Sequence, residues 1–238
     1  MLAEASSIWR GIRGSQLVVP ISWALLDTDE GVWLVDCGLA CAAGGDPATF
    51  YGPLGRRARF ERAEALPERL AESGVDLDSV AGVLLTHLHY DHAGALVDLP
   101  PGVPVWVHQN ELDAARVARS RQGYHAATLD APVAWRPFHA GQTPIDGVTL
   151  IETPGHTRGH CSALVQLGAA RYLVSGDAAP TIRNLEERIA PGLQVDAAAA
   201  LASLDVIIAE WRAGAVVLPS HDPDFWRAEP VMRFSASS

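Results

Sequence analysis

The sequence predicts an α/β sandwich in which two β-sheets are covered by helices. Three observations lead there. Short apolar runs rich in β-branched residues recur in both halves of the chain, bounded by Gly, Pro and Asp turns. Segments with helical periodicity are interspersed among them, the longest from Asp196 to Trp211. Ligand-type residues directly follow four of the runs, where open α/β folds place their sites.

The elements follow in order. Leu17 to Leu26 is an apolar run, Asp27-Thr28-Asp29-Glu30-Gly31 a turn, and Val32 to Asp36 the returning strand of a hairpin. Residues 40–62 contain many Gly, Pro and Arg, with Phe50, Tyr51 and Phe60 between them. A loop of that length inside a compact domain reads as a lid or substrate loop. Arg62 to Glu72 reads as a helix, Gly82 to Leu85 and Val103 to Val107 as strands, and Gln109 to Ser120 as a helix. Val148 to Ile151 is a strand. Cys161 to Leu167 and Arg171 to Val174 make a hairpin around Gly168, and Ala215 to Leu218 is a late strand. No internal repeat is evident, and the 238 residues are expected to form one domain, 1–238.

Composition excludes some functions. Acidic residues number 28 against 18 basic ones, a formal net charge of −10, which argues against binding nucleic acid. The one basic cluster, Arg56-Arg57-Ala58-Arg59, is short and reads as a solvated loop. Cys37, Cys41 and Cys161 form no CxxC pair, which fits a reducing compartment. No secretory signal is visible, and no apolar stretch approaches the ~20 residues needed to span a bilayer. The expectation is a soluble, cytoplasmic protein with no membrane partner.

The chemistry concentrates in His87-Leu88-His89-Tyr90-Asp91-His92. His87 and His89 lie two apart on extended chain, so both side chains point to one side. Asp91 and His92 come where the chain turns and can face the same space. Imidazole and carboxylate are the ligands of a borderline metal such as zinc. Three more candidates follow strands: His156 in Thr153-Pro154-Gly155-His156-Thr157, Asp177 in Ser175-Gly176-Asp177, and His221 in Pro219-Ser220-His221. Gly155 and Gly176 permit the tight turns this delivery needs. His160 reads as support behind the ligands, and His108, His125 and His139 as ordinary packing residues.

The motif His-x-His-x-Asp-His, followed by Pro154-Gly155-His156-Thr157, Gly176-Asp177 and the late His221, resembles the metallo-β-lactamase superfamily from about residue 17 to about 225. The resemblance implies an αββα sandwich, two mixed β-sheets flanked by helices. It implies two divalent metal ions, zinc by default, with manganese, iron or cobalt as alternatives. One ion would be bound by His87, His89 and His156, the second by Asp91, His92 and His221, with Asp177 bridging. A bridging hydroxide would attack the substrate, and Asp91 would also carry the proton to the leaving group.

Within the superfamily the chain most resembles the N-acyl-homoserine lactone lactonases. The features are the hairpin ending in Val35-Asp36-Cys37-Gly38, the 40–62 segment, Thr153 to His160, and Ser220-His221-Asp222-Pro223. The implied function is lactone opening, in quorum quenching where the substrate is an acyl-homoserine lactone. The partner is then a small molecule with a lactone or ester group, and a homodimer is compatible with the sequence. A thioesterase like hydroxyacylglutathione hydrolase is the alternative, although such enzymes usually carry a C-terminal extension and only 17 residues follow His221. Other esterase or phosphodiesterase chemistry comes next, and a non-catalytic metal-binding module last. There is one departure. Lactonases of this kind often have a substrate-contacting tyrosine three residues after the bridging aspartate, where this chain has Pro180. Tyr51 and Tyr124 are the candidates to replace it, and the 40–62 loop, with Phe50, Tyr51 and Phe60, is the candidate wall of an apolar substrate pocket. Trp23, Trp135 and Phe138 are further candidates for that wall.

Overall fold

The predicted first hairpin forms, but later than its apolar run begins. Pro20 has no N–H to give a ladder. Strand β2 (Gln16–Val18) ends before it and pairs with β1 (Leu2–Glu4), and β3 (Ala24–Thr28) begins after it. β3 then pairs antiparallel with β4 (Gly31–Val35) around the Asp29-Glu30 turn. The structure, a computed structural model, describes residues 1–139, 142 and 144–228, so the expected domain's last stretch, 229–238, lies outside the described residues.

The chain divides into two units, Met1–Leu2 with Ile21–Phe138, and Ala3–Pro20 with His139–Ser238. In the first, β5 (Val80–Leu84), β6 (Pro104–His108) and β7 (Ala134–Phe138) extend the hairpin into a five-stranded sheet of order β3-β4-β5-β6-β7. Only β3 runs antiparallel to its neighbour; β4 to β7 pair in parallel. Val83, Leu34, Val105 and Val107 from the inner strands pack with Leu66, Leu70, Leu96 and Leu112 into one buried core. Trp33 on β4 lies over Gly82 on β5, where an added Cβ would come 2.3 Å from the indole.

In the second unit, β8 (Val148–Glu152), β9 (Cys161–Leu167), β10 (Ala170–Gly176) and β11 (Val216–Pro219) form a four-stranded sheet of order β11-β10-β9-β8. β9 and β10 make the predicted hairpin, with Gly168 at φ +57° in its turn. β10 and β11 pair in parallel. The crossover between them contains the helix Ala197–Arg212, started by the Asp196 carboxylate, which accepts from the N–H groups of Ala198 and Ala199. Its Leu204, Ile207 and Ile208 pack on Leu173 and Val217.

Three expectations change. The helix read over Arg62 to Glu72 breaks at Ala65, which is extended, so that Pro67 can sit in the first turn of a new helix, Leu66–Glu72. The 40–62 segment is not bare loop: it contains short helical turns at Cys41–Ala43, Pro47–Tyr51 and Leu54–Arg57. The added edge strand β7 escapes the sequence pattern because Pro137 interrupts its alternation. No described helix is long and apolar enough to cross a membrane.

Candidate metal centre

In the first unit, β5 runs through Leu85 and Thr86 into His87. Leu88 turns into the core, and its N–H donates to the fully buried Glu111 carboxylate at 3.0 Å. His87 and His89 therefore project together, with rings 4.6 Å apart. His89 begins the short helix Tyr90–Ala93, which carries Asp91 and His92. The His87 and His92 rings come within 4.1 Å. Ligand atoms of His87 and His89, of His87 and His92, and of Asp91 and His92 each lie within 4.8 Å of one another. All four side chains are buried.

Sequence reasoning missed the residues that aim these rings. Asp36, at the end of β4, takes a left-handed backbone (φ +59°) and turns its carboxylate inward. It accepts from the N–H and hydroxyl of Thr86, each at 2.8 Å, and pairs with His92 Nδ1 at 2.8 Å. Thr86 Oγ1 also lies 3.0 Å from His87 Nδ1. Gly123 presses on the far side of His89: a Cβ there would stand 2.6 Å from the ring's Cδ2.

In the second unit, β8 leads to His156, β10 to Asp177 and β11 to His221. Asp177 lies between two imidazoles, with Oδ2 3.3 Å from His156 Nε2 and Oδ1 3.1 Å from His221 Nε2. Both rings are fixed from behind by backbone carbonyls. His156 Nδ1 donates to Leu193 O at 2.7 Å and His221 Nδ1 to Pro20 O at 2.8 Å. A carbonyl only accepts, so these nitrogens hold the protons and a neutral ring has its lone pair on Nε2. Asp177 is fixed too. Ser220 Oγ donates to Oδ1 at 2.7 Å, and the Asp177 N–H donates to His160 Nε2 at 2.9 Å. His160 contacts Thr153 Oγ1 through its other nitrogen, so it supports the backbone of Asp177 rather than offering a ligand atom.

Two carboxylate oxygens, each opposed to a lone-pair nitrogen, are an electrostatic conflict that a cation resolves. In both units the set is imidazole and carboxylate, the donors of zinc and its neighbours. The residues fit a divalent metal.

The substrate candidates fall in the first unit. Tyr51 is buried, and its hydroxyl accepts from the Ala40 N–H at 2.7 Å. Burial pushes its pKa far up. Phe50 meets Tyr51 edge-on at 4.8 Å and His125 at 5.2 Å. Tyr124 bridges to the His89 backbone, with its ring 5.1 Å from the imidazole. Trp23 and Trp135 pack against the first core, and Phe138 is fully buried against His108. In the second unit, Pro180 does not reproduce a tyrosine contact; its carbonyl accepts from the His221 N–H at 2.9 Å and so anchors that ligand candidate's backbone.

A His-x-His-x-Asp-His motif after one strand, with Gly-His and Gly-Asp turns after two others in the sequence, marks a metal-dependent hydrolase. The family model of the metallo-β-lactamase superfamily matches residues 17–221, and the chain belongs to that superfamily. Among its relatives, the N-acyl homoserine lactonase AttM of Agrobacterium fabrum is 28% identical, aligned over 90% of this chain and 86% of the relative. The N-acyl homoserine lactonase AiiA of Bacillus thuringiensis subsp. kurstaki is 28% identical over 80% of this chain and 76% of its own length. A solved N-acyl homoserine lactone hydrolase, with the product N-hexanoyl-L-homoserine at its catalytic metal center, has the same fold. Its TM-score is 0.84, with 24% identity, covering 95% of this chain and 91% of that one. The dizinc quorum-quenching lactonase AidC is more distant, with a TM-score of 0.67 and 18% identity over 87% of this chain and 74% of that one.

Proposed function

We propose that the protein is a dinuclear metal-dependent lactonase acting on N-acyl-homoserine lactones, with its whole length working as one hydrolase domain. The observation that carries the metal is the pair of lone-pair nitrogens, on His156 and His221, facing the Asp177 carboxylate. The names of the AttM and AiiA relatives support the lactone. In this reading one ion takes His87, His89 and His156. The other takes Asp91, His92 and His221, with Asp177 shared, and zinc is the first choice. Three thiols, Cys37, Cys41 and Cys161, fit placement in the cytoplasm.

When bound, two divalent ions supply a water-derived nucleophile near neutral pH and polarise the carbonyl. The chain's own residues do the rest. Asp91 accepts the proton of the attacking water and returns it to the alcohol that leaves as the ring opens. Asp177, held by Ser220 and His160, keeps its two oxygens in fixed directions. Tyr124, beside His89, takes the substrate contact that Pro180 cannot make. Tyr51 packs edge-on against the wall that Phe50 presents. Water adds across the acyl–oxygen bond, the ring oxygen leaves as an alcohol, and the new acid releases one proton at neutral pH.

That proton is the readout. Titration at constant pH of the zinc-loaded protein against an acyl-homoserine lactone series should show turnover, with thioesters, phosphodiesters and β-lactams far slower. Faster hydrolysis of a glutathione thioester would replace lactone by thioester as the substrate. Two equivalents of bound zinc with turnover of none of them would make the chain a metal-binding module.

A further inference from the structure

We propose that Asp36 is a positioning residue shared by both metal sites, setting the tautomer of one ligand in each. The proposal rests on the assignment of His87 and His92 to different ions.

Three groups converge on the Asp36 carboxylate: the Thr86 N–H on Oδ1, and the Thr86 hydroxyl and His92 Nδ1 on Oδ2, each at 2.8 Å. A carboxylate only accepts, so all three must donate. His92 therefore carries its proton on Nδ1 and its lone pair on Nε2, the arrangement a metal needs. The threonine hydroxyl has a single proton and gives it to Asp36. Towards His87 Nδ1, 3.0 Å away, it can then only accept. His87 is thereby fixed with Nδ1 protonated and Nε2 as the ligand atom. One carboxylate aims His92 directly and His87 through Thr86. The second unit fixes His156 and His221 by separate carbonyls instead.

Asparagine tolerates the left-handed backbone at φ +59°, so Asp36→Asn keeps the local fold. Its oxygen stays on the Thr86 N–H, and its NH2 now points at His92 Nδ1 and Thr86 Oγ1. Both must become acceptors. His92 moves its proton to Nε2, the Thr86 hydroxyl turns to donate to His87 Nδ1, and His87 moves its proton to Nε2 as well. A single substitution inverts both rings and withdraws both metal-binding lone pairs.

The test uses the full chain with 15N-labelled histidine. Two-bond 1H–15N correlation spectra of the metal-free protein report each tautomer, and chelator competition with zinc reports each affinity. The native chain should show Nδ1–H at His87 and His92. Asp36→Asn should invert both and weaken both zinc sites by about 10–100-fold, the usual effect of losing an outer hydrogen-bond partner. Thr86→Val should release His87 only and weaken one zinc site, and Thr86→Ser should restore the native pattern. An Asp36→Asn protein with either ring unchanged, or a Thr86→Val protein that disturbs His92 equally, would overturn the proposal. Failure of the native chain to bind two zinc ions would instead sink the dinuclear reading and leave the tautomer result standing.

Discussion

His156 Nε2 stands 3.3 Å from Asp177 Oδ2 while the N–H at the ring's other nitrogen donates to Leu193 O. The contact resembles a salt bridge, but a neutral ring has no proton there to donate. A divalent cation between ring and carboxylate relieves that opposition. Removal of metal should therefore cost stability. At a free zinc concentration about 100 times the Kd, linkage alone supplies about 2.7 kcal/mol. For a chain of this size that is roughly 5–11 °C in Tm. Calorimetry with and without chelator checks it, and an unchanged Tm on stripping would show that the cluster holds no ion.

Two glycines should fail in different ways. Gly155 has φ +131°, and a Cβ there would lie 2.1 Å from the Ala200 backbone nitrogen. Backbone at the N-terminal end of a helix cannot yield cheaply, so Gly155→Ala should lose at least about 2 kcal/mol of stability. Denaturant melts measure it, and a loss within about 0.5 kcal/mol, the scale of an ordinary surface substitution, would contradict the contact.

At Gly123 the obstacle is instead the His89 ring, 2.6 Å from the added methyl. A side chain can turn aside, so Gly123→Ala should keep the fold and lose metal. We expect about a tenfold or greater loss of zinc affinity with a cooperative melt preserved. Full metal content and turnover in a folded variant would show that His89 has room to spare.

Much of this was legible because ligands and turns are local in sequence. The His87 to His92 motif, the Gly155-His156 and Gly176-Asp177 turns, and the β9–β10 hairpin lie where residue spacing puts them. What escaped depends on pairings far apart in the chain. Asp36 meets Thr86 fifty positions away, and Glu111 reaches back to Leu88 from the next helix but one. Neither residue differs in sequence from any other acid near an apolar run. The 40–62 segment looked like a loop because its helices are about one turn long, too short for a period to show. Nor can a pattern of residues show that the Tyr51 hydroxyl accepts from the Ala40 N–H, eleven positions away.

Buried thiol chemistry gives a pH prediction. Burial pushes the Cys37 thiol well above its ordinary value, with the nearby Asp36 charge adding to the shift. The unfolded chain then loses this proton first, so the native state holds more protons as pH rises. Stability is fully present below the ordinary thiol value of about 8.5 and declines above it, by up to about 1.4 kcal/mol per pH unit. Cys37→Ala should flatten that alkaline decline between about pH 8.5 and 10.5. A native protein whose melts hold steady across the range would show that the thiol ionises freely.

Asp91 tests the chemical step. It sits on the short helix Tyr90–Ala93, beside His92 and largely buried, so an amide of the same shape fits without repacking. Asp91→Asn keeps an oxygen as a ligand atom but cannot take up a proton. If Asp91 both holds an ion and moves the proton, the variant at saturating zinc should retain two ions while kcat on a lactone falls by about 10²–10⁴. A residue that only ligates would give a different pattern: zinc affinity would fall, and kcat would recover as zinc is added. Measuring zinc content and kcat on the same samples separates the two. Full occupancy with unchanged turnover would remove Asp91 from the proton path and leave that transfer to water.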